Sequence, residues 1–262
     1  MACDKLPRMI LFDLGGTAIA NGDDASDDLP AAMDRLRLAA VDPGAATAAQ
    51  MCALWREFFA ETKGGDRRSA AGHRLEIPLP AALDYITMNA GLRFPPGTDR
   101  QSLLLAFQDF SGRVTPGFAS LLETIGRLGI RTAVISNNEF TGDVLEREFR
   151  RVLPNSRMEF CLSSADVLFC KPAGPLFRTA ARFAGVDPDD CWYCGDGFTP
   201  DVIGGLDAGM HPVHYRPAAE ARLVRLTDGA GREYLAVNHW NALEEHLLAL
   251  ARQNEIFDRK GF

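Results

Sequence analysis

From residue 114 onward, apolar positions switch between short continuous runs and a helical spacing of three and four. The runs at 130–135, 158–162, 191–194, 212–215 and 233–237 read as strands. The intervening stretches 141–152, 174–184, 200–208 and 241–252 read as helices. Thr115 and Pro116 start another helix by N-cap and first-turn preference, and Gly129 ends it. Met9, Ile10, Leu11 and Phe12 form an earlier apolar run that delivers Asp13 into a turn containing Gly15, Gly16 and Thr17. Strand and helix alternating in this way imply right-handed crossovers. The expected fold is α/β, a parallel sheet with helices on both faces.

Between residues 18 and 113 the pattern is helical, with almost no strand signal. Met51, Leu54, Trp55, Phe58 and Phe59 mark one amphipathic helix within Ala45 to Lys63, and Leu103, Leu104, Phe107 and Phe110 suggest another. Such aromatic stripes read as helix-packing core. A connection of this length is too long for a loop, so 18–113 is expected to be an inserted helical domain, with 1–17 and 114–262 forming the α/β domain. Gly22, Asp23 and Asp24 on one side and Gly112 to Thr115 on the other are the expected hinge strands. An insertion directly after the Asp13 strand would cover the carboxyl end of the sheet.

Charge narrows the partners. Thirty-five acidic side chains against 28 basic ones give a net charge of −7, which argues against a nucleic-acid surface and gives no support for anionic lipid. A small substrate is the expected partner. No run of eighteen apolar residues and no cationic-then-apolar opening occurs, so the reading is a cytoplasmic protein without a membrane partner. The six cysteines are scattered, as suits reduced thiols. Cys191 and Cys194 have redox or zinc spacing but fall in a strand, where residues three apart face opposite ways.

Candidate chemistry collects at the strand ends. Asp13 ends the first strand, and ligand sites in parallel sheets lie at such ends. Ser136, Asn137 and Asn138 end another apolar run. Lys171, one of only four lysines, precedes Pro172. Gly195 and Asp196 end a further strand, with Asp201 five residues on at a helix start.

These four pieces, in this order, resemble the motifs of the haloacid dehalogenase (HAD) superfamily, and the insertion resembles its C1 cap. The resemblance implies a Rossmann-like HAD core. It also implies Asp13 as nucleophile, Ser136 and Lys171 as catalytic groups, and Gly16, Thr17, Ser136, Asn137 and Lys171 around a phosphate. Mg²⁺ would be held by Asp13, Asp196, the Gly15 carbonyl and Asp201, the last as support. The activity implied is a Mg²⁺-dependent phosphatase acting on a small phosphorylated metabolite through an aspartyl-phosphate on Asp13.

Gly15 departs from the family pattern, which has a second aspartate here as general acid and base. Such help contributes roughly 10²–10⁴ in rate. Asp23, Asp24, Asp66 and His73 are candidate substitutes. Three other readings remain: a catalytically impaired protein that binds a phospho-ligand or a partner, a phosphonoacetaldehyde hydrolase-like enzyme using Lys63, and a haloacid dehalogenase-like enzyme. Arg67, Arg68, His73 and Arg74 form either a binding cluster for an acidic substrate tail or a solvated loop.

Overall fold

The computed structural model describes residues 3–20, 29–62, 66–99 and 112–260, with side chains through 254. Among the described residues there are nine strands: β1 (Met9–Phe12), β2 (Ile19–Ala20), β3 (Arg113–Val114), β4 (Arg131–Ser136), β5 (Met158–Ser163), β6 (Cys191–Gly195), β7 (His211–Tyr215), β8 (Leu223–Thr227) and β9 (Glu233–Val237). The helices are α1 (Leu29–Leu38), α2 (Ala48–Glu61), α3 (Leu79–Asn89), α4 (Phe118–Arg127), α5 (Gly142–Val152), α6 (Ser164–Val167), α7 (Gly174–Ala184), α8 (Gly204–Asp207) and α9 (Trp240–Lys260). Expected elements of the α/β part fall within a residue or two of these bounds in most cases. The exceptions are α9, which runs on to 260, and 200–208, which is a wide π-type turn over 198–203 followed by α8.

The main sheet has the order β5-β4-β1-β6-β7-β9-β8. β1 is an interior strand and pairs in parallel with β4 on one side and β6 on the other. The chain builds outward from β1 through β4 to β5, then returns to β6 and builds the other way. The connections therefore diverge beside β1, and the crevice at the carboxyl ends of β1 and β6 is the place where such sheets bind ligands. Asp13 follows β1 and Asp196 follows β6.

One edge departs from the parallel expectation. β8 pairs antiparallel with β9, and its residues alternate between exposed and half-buried, as an edge strand with one solvated face should.

β1 is buried on both faces, all four residues having no exposure. Phe12 packs edge-on against Phe118 and Trp240, with ring centroids 5.0 and 6.0 Å apart. Truncating such a side chain costs about 3–5 kcal/mol. Trp240 also fixes a turn: its Nε1 donates to Thr115 Oγ1 at 2.8 Å, and that hydroxyl donates to the Thr17 carbonyl at 2.6 Å. Thr115 therefore does not cap α4. Gly117, at φ +84°, is the residue before its first turn.

β2 and β3 pair antiparallel, bringing Ile19 opposite Val114 and Ala20 opposite Arg113. Helices α1 to α3 lie between these strands in sequence. Thr47 and Gln50 form a capping box that starts α2. Apolar packing is continuous from Phe12 and Phe118 to Met33, Leu36 and Met51 of the inserted helices. Gly22, Asp23, Asp24, Lys63 and the stretch from Leu103 to Phe110 lie outside the described residues.

Candidate active site

The carboxyl ends of β1, β4 and β6, with the loop before α7, surround a cavity of about 440 Å³. Asp13, Ser136, Asn137, Lys171, Asp196 and Asp201 all line it, although they are spread across most of the sequence.

Lys171 is the hub. Its Nζ lies 2.7 Å from Asp13 Oδ1, 2.7 Å from Asp201 Oδ1 and 2.9 Å from the Tyr193 hydroxyl. An ammonium has three protons, and here three acceptors take them. The lysine thus has no spare N–H for another anion until one of these contacts opens. Tyr193 stands on β6 among apolar neighbours, with its hydroxyl 3.2 Å from both the Ile135 carbonyl and Asp201 Oδ1. The Lys171–Pro172 peptide is cis, and Asn137 grips the same residue from the other side. Its Oδ1 accepts the Lys171 amide at 2.6 Å and its Nδ2 donates to the Lys171 carbonyl at 3.1 Å.

Burial sets the electrostatics. It pushes the Asp13 carboxyl up to about 6, with the Asp201 charge adding to the rise and the Lys171 ammonium pulling against it. Burial alone would lower Lys171, but the charges of Asp13 and Asp201 outweigh it and hold the ammonium above its ordinary value. The Tyr193 hydroxyl is raised well above its usual range by burial and by the two carboxylates.

Asp196 is reached from the β1 turn. Gly16 sits at φ +73°, and a Cβ there would come within 2.4 Å of Asp196 Oδ2, so both the backbone conformation and the space call for glycine. Thr17 Oγ1 donates to Asp196 Oδ1 at 3.2 Å. His214 on β7 holds the Asp196 carbonyl through Nε2 at 3.0 Å.

Residues 7–209 match the model of the haloacid dehalogenase-like hydrolases. The chain belongs to this family. It is 26% identical over 151 residues to haloacid dehalogenase-like hydrolase domain-containing protein 3 of Xenopus laevis, covering 56% of this chain and 54% of that one. It therefore spans about half the length of that curated relative. Among solved structures it is similar to a 2-haloacid dehalogenase from Pseudomonas syringae pv. tomato, with TM-score 0.55, 20% identity and coverage of 93% and 99% of the two chains. It is also similar to a HAD phosphatase from Thermococcus onnurineus, with TM-score 0.54, 20% identity and coverage of 91% and 97%. These likenesses show a shared fold.

The donor set of this HAD-like hydrolase fits a small hard cation. Carboxylate oxygens of Asp13, Asp196 and Asp201 lie within 4.8 Å of one another, and oxygen donors suit Mg²⁺. They are not equivalent. Asp201 already spends Oδ1 on Lys171 and Oδ2 on the Gly197 amide at 2.8 Å, which suits a supporting role, while Asp196 is exposed to the cavity.

Other expected site residues are placed differently. Thr17 has no exposure and points at Asp196, and Gly16 donates its amide to the Ile19 carbonyl at 2.8 Å, so both are committed within the protein. Asn137 lines the cavity, but both its side-chain atoms clamp Lys171. Ser136 ends β4 at the cavity wall. Asp66, Arg67, Arg68 and Arg74 are exposed, and neither they nor His73 line the cavity, which favours the solvated-loop reading of that cluster. Cys191 and Cys194 fall in apolar clusters on opposite faces of the sheet.

Sequence reasoning missed Tyr193, Glu148 and Arg151. A tyrosine three residues before Asp196 in an otherwise apolar strand was the available signal for the first. Glu148 and Arg151 line the cavity from α5, and only their helical spacing from Leu145 pointed there.

Proposed function

We propose that this HAD-like hydrolase is a Mg²⁺-dependent phosphatase acting on a small phosphorylated metabolite, with residues 18–113 serving as its cap. The observation that carries the reading is the convergence of Asp13, Asp196 and Asp201 on one small volume with Lys171 bound to two of them. A carboxylate attacks a phosphate dianion only when the mutual repulsion is offset. Bound Mg²⁺ would supply that offset and polarise the phosphoryl oxygens.

Asp13 attacks phosphorus, and the ester P–O bond breaks with its electron pair going to the leaving oxygen, which departs as an alkoxide or phenolate and takes its proton from water. Lys171 orients Asp13 and keeps it ionised, while Ser136 donates to a phosphoryl oxygen. Water then attacks the aspartyl-phosphate, releasing phosphate and restoring Asp13. With glycine at position 15, no side chain there protonates the leaving group, so good leaving groups are favoured. The solved structures show the fold alone and include both a phosphatase and 2-haloacid dehalogenases, so the carboxylate trio, rather than the neighbours, supports phosphate chemistry.

The test is product release from a panel of phosphate esters and from haloacids, each with Mg²⁺ and with EDTA. Phosphate release that needs Mg²⁺ supports the reading. Halide release, or no phosphate release across the panel, refutes it.

A further inference from the structure

Residues 74–76 of the inserted segment run against the loop that leads into Lys171. The Glu76 amide donates to the Leu168 carbonyl at 2.7 Å and the Cys170 amide donates to the Arg74 carbonyl at 3.1 Å, on either side of a bridge between Leu75 and Phe169. Leu168, whose carbonyl is held, has φ +68°. A bulky side chain keeps such a conformation only where its surroundings over-determine it.

The Glu76 carboxylate extends the grip. Its Oε2 accepts from Ser164 Oγ at 2.8 Å and from Cys170 Sγ at 3.5 Å. Ser164 is fully buried, and its Oγ also accepts the Asn138 amide at 2.9 Å. Asn138 neighbours Asn137, which clamps Lys171. A second tie lies close by, since the Leu79 amide donates to the Glu139 carbonyl at 2.9 Å. One carboxylate on the insertion therefore joins the loop ending at Lys171 to the loop beginning at Ser136.

We propose that Glu76 is a positioning residue that sets where Lys171 and Ser136 stand in the cavity and couples both to the inserted segment. Charge-assisted bonds from partly dry donors are strong and directional. The lysine must place its head on Asp13 and Asp201 at once, and displacements of about 1 Å in such arrangements cost about 10²-fold in rate. The catalytic consequence rests on the proposed phosphatase reading, whereas the latch itself does not.

The test compares wild type, Glu76→Ala and Glu76→Gln in the 262-residue chain. It reads kcat and KM with p-nitrophenyl phosphate and Mg²⁺, the thermal midpoint, and amide exchange of peptides covering 136–140 and 164–172. Glu76→Ala is expected to lower kcat about tenfold or more and to speed exchange in both peptides. Glu76→Gln, which keeps an acceptor for Ser164, should recover kcat to within about threefold of wild type. A lower thermal midpoint with kcat within twofold of wild type would mean a purely structural role and overturns the proposal. If wild type hydrolyses no phosphate ester, the phosphatase reading fails separately and exchange decides: faster exchange in both peptides upholds the latch, and unchanged exchange in either overturns it.

Discussion

Lys171 Nζ lies 2.7 Å from Asp13 Oδ1, with the lysine side chain 2% exposed and the aspartate side chain 12%. The pair is nearly dry, and Asp201 stands equally close to the same ammonium. Removing one partner of a buried pair leaves charge without compensation, at a cost of about 3–5 kcal/mol. Lys171→Met should therefore lose about that much stability in urea denaturation and lower kcat by about 10²-fold or more. A variant within about 1 kcal/mol of wild type would mean that the triad is not strongly coupled.

Gly16 and Asp196 make a second local prediction. Gly16→Ala adds a Cβ at φ +73° and drives it into the Asp196 carboxylate. The backbone strain alone is about 1–3 kcal/mol. Because the clash is with a proposed metal ligand, the Mg²⁺ concentration giving half-maximal activity should rise along with the loss of stability. Unchanged Mg²⁺ dependence would count against Asp196 as a ligand.

Protons and metal compete for Asp13. Burial raises its folded-state value to about 6 from an ordinary 3.8. Between these values the folded protein holds a proton that the unfolded chain has released, so this group's contribution to metal-free stability falls as pH rises from about 4 to 6. Mg²⁺ binding needs the ionised form, so its affinity should fall about tenfold per pH unit below about 6 and level off above. The rise in thermal midpoint on adding Mg²⁺ should accordingly be larger at pH 7 than at pH 5. An equal rise at both would contradict Asp13 as a ligand.

The missing acid can be tested by restoring it. Gly15→Asp should raise hydrolysis of alkyl phosphates, whose leaving groups need a proton, by up to about 10²-fold. It should do little for p-nitrophenyl phosphate. Equal effects on both substrates would show that leaving-group protonation does not limit turnover.

The parts of the site read from the sequence are those whose chemistry is local. Asp13 and Asp196 each follow an apolar strand with a glycine within two residues, and Lys171 stands out because lysine is scarce. Parallel order around β1 followed from the alternation of periods. What escaped depends on residues far away in the chain. Thr115 looked like a cap until Trp240, 125 positions on, claimed its hydroxyl. Thr17 and Asn137 carry the right groups for an anion, yet Asp196 and the Lys171 backbone take them. Tyr193 was masked by its apolar strand, and β8 by an alternation too short and too exposed to separate from a loop.

In the proposed reaction Asp13 becomes phosphorylated during turnover. Peptide mass spectrometry of enzyme acid-quenched while hydrolysing p-nitrophenyl phosphate tests it directly. One added phosphoryl group is expected on the peptide containing Asp13, present with Mg²⁺, absent with EDTA and absent in Asp13→Asn. Mg²⁺-dependent phosphate release that persists in Asp13→Asn, or a phosphoryl group found on another residue, would contradict it.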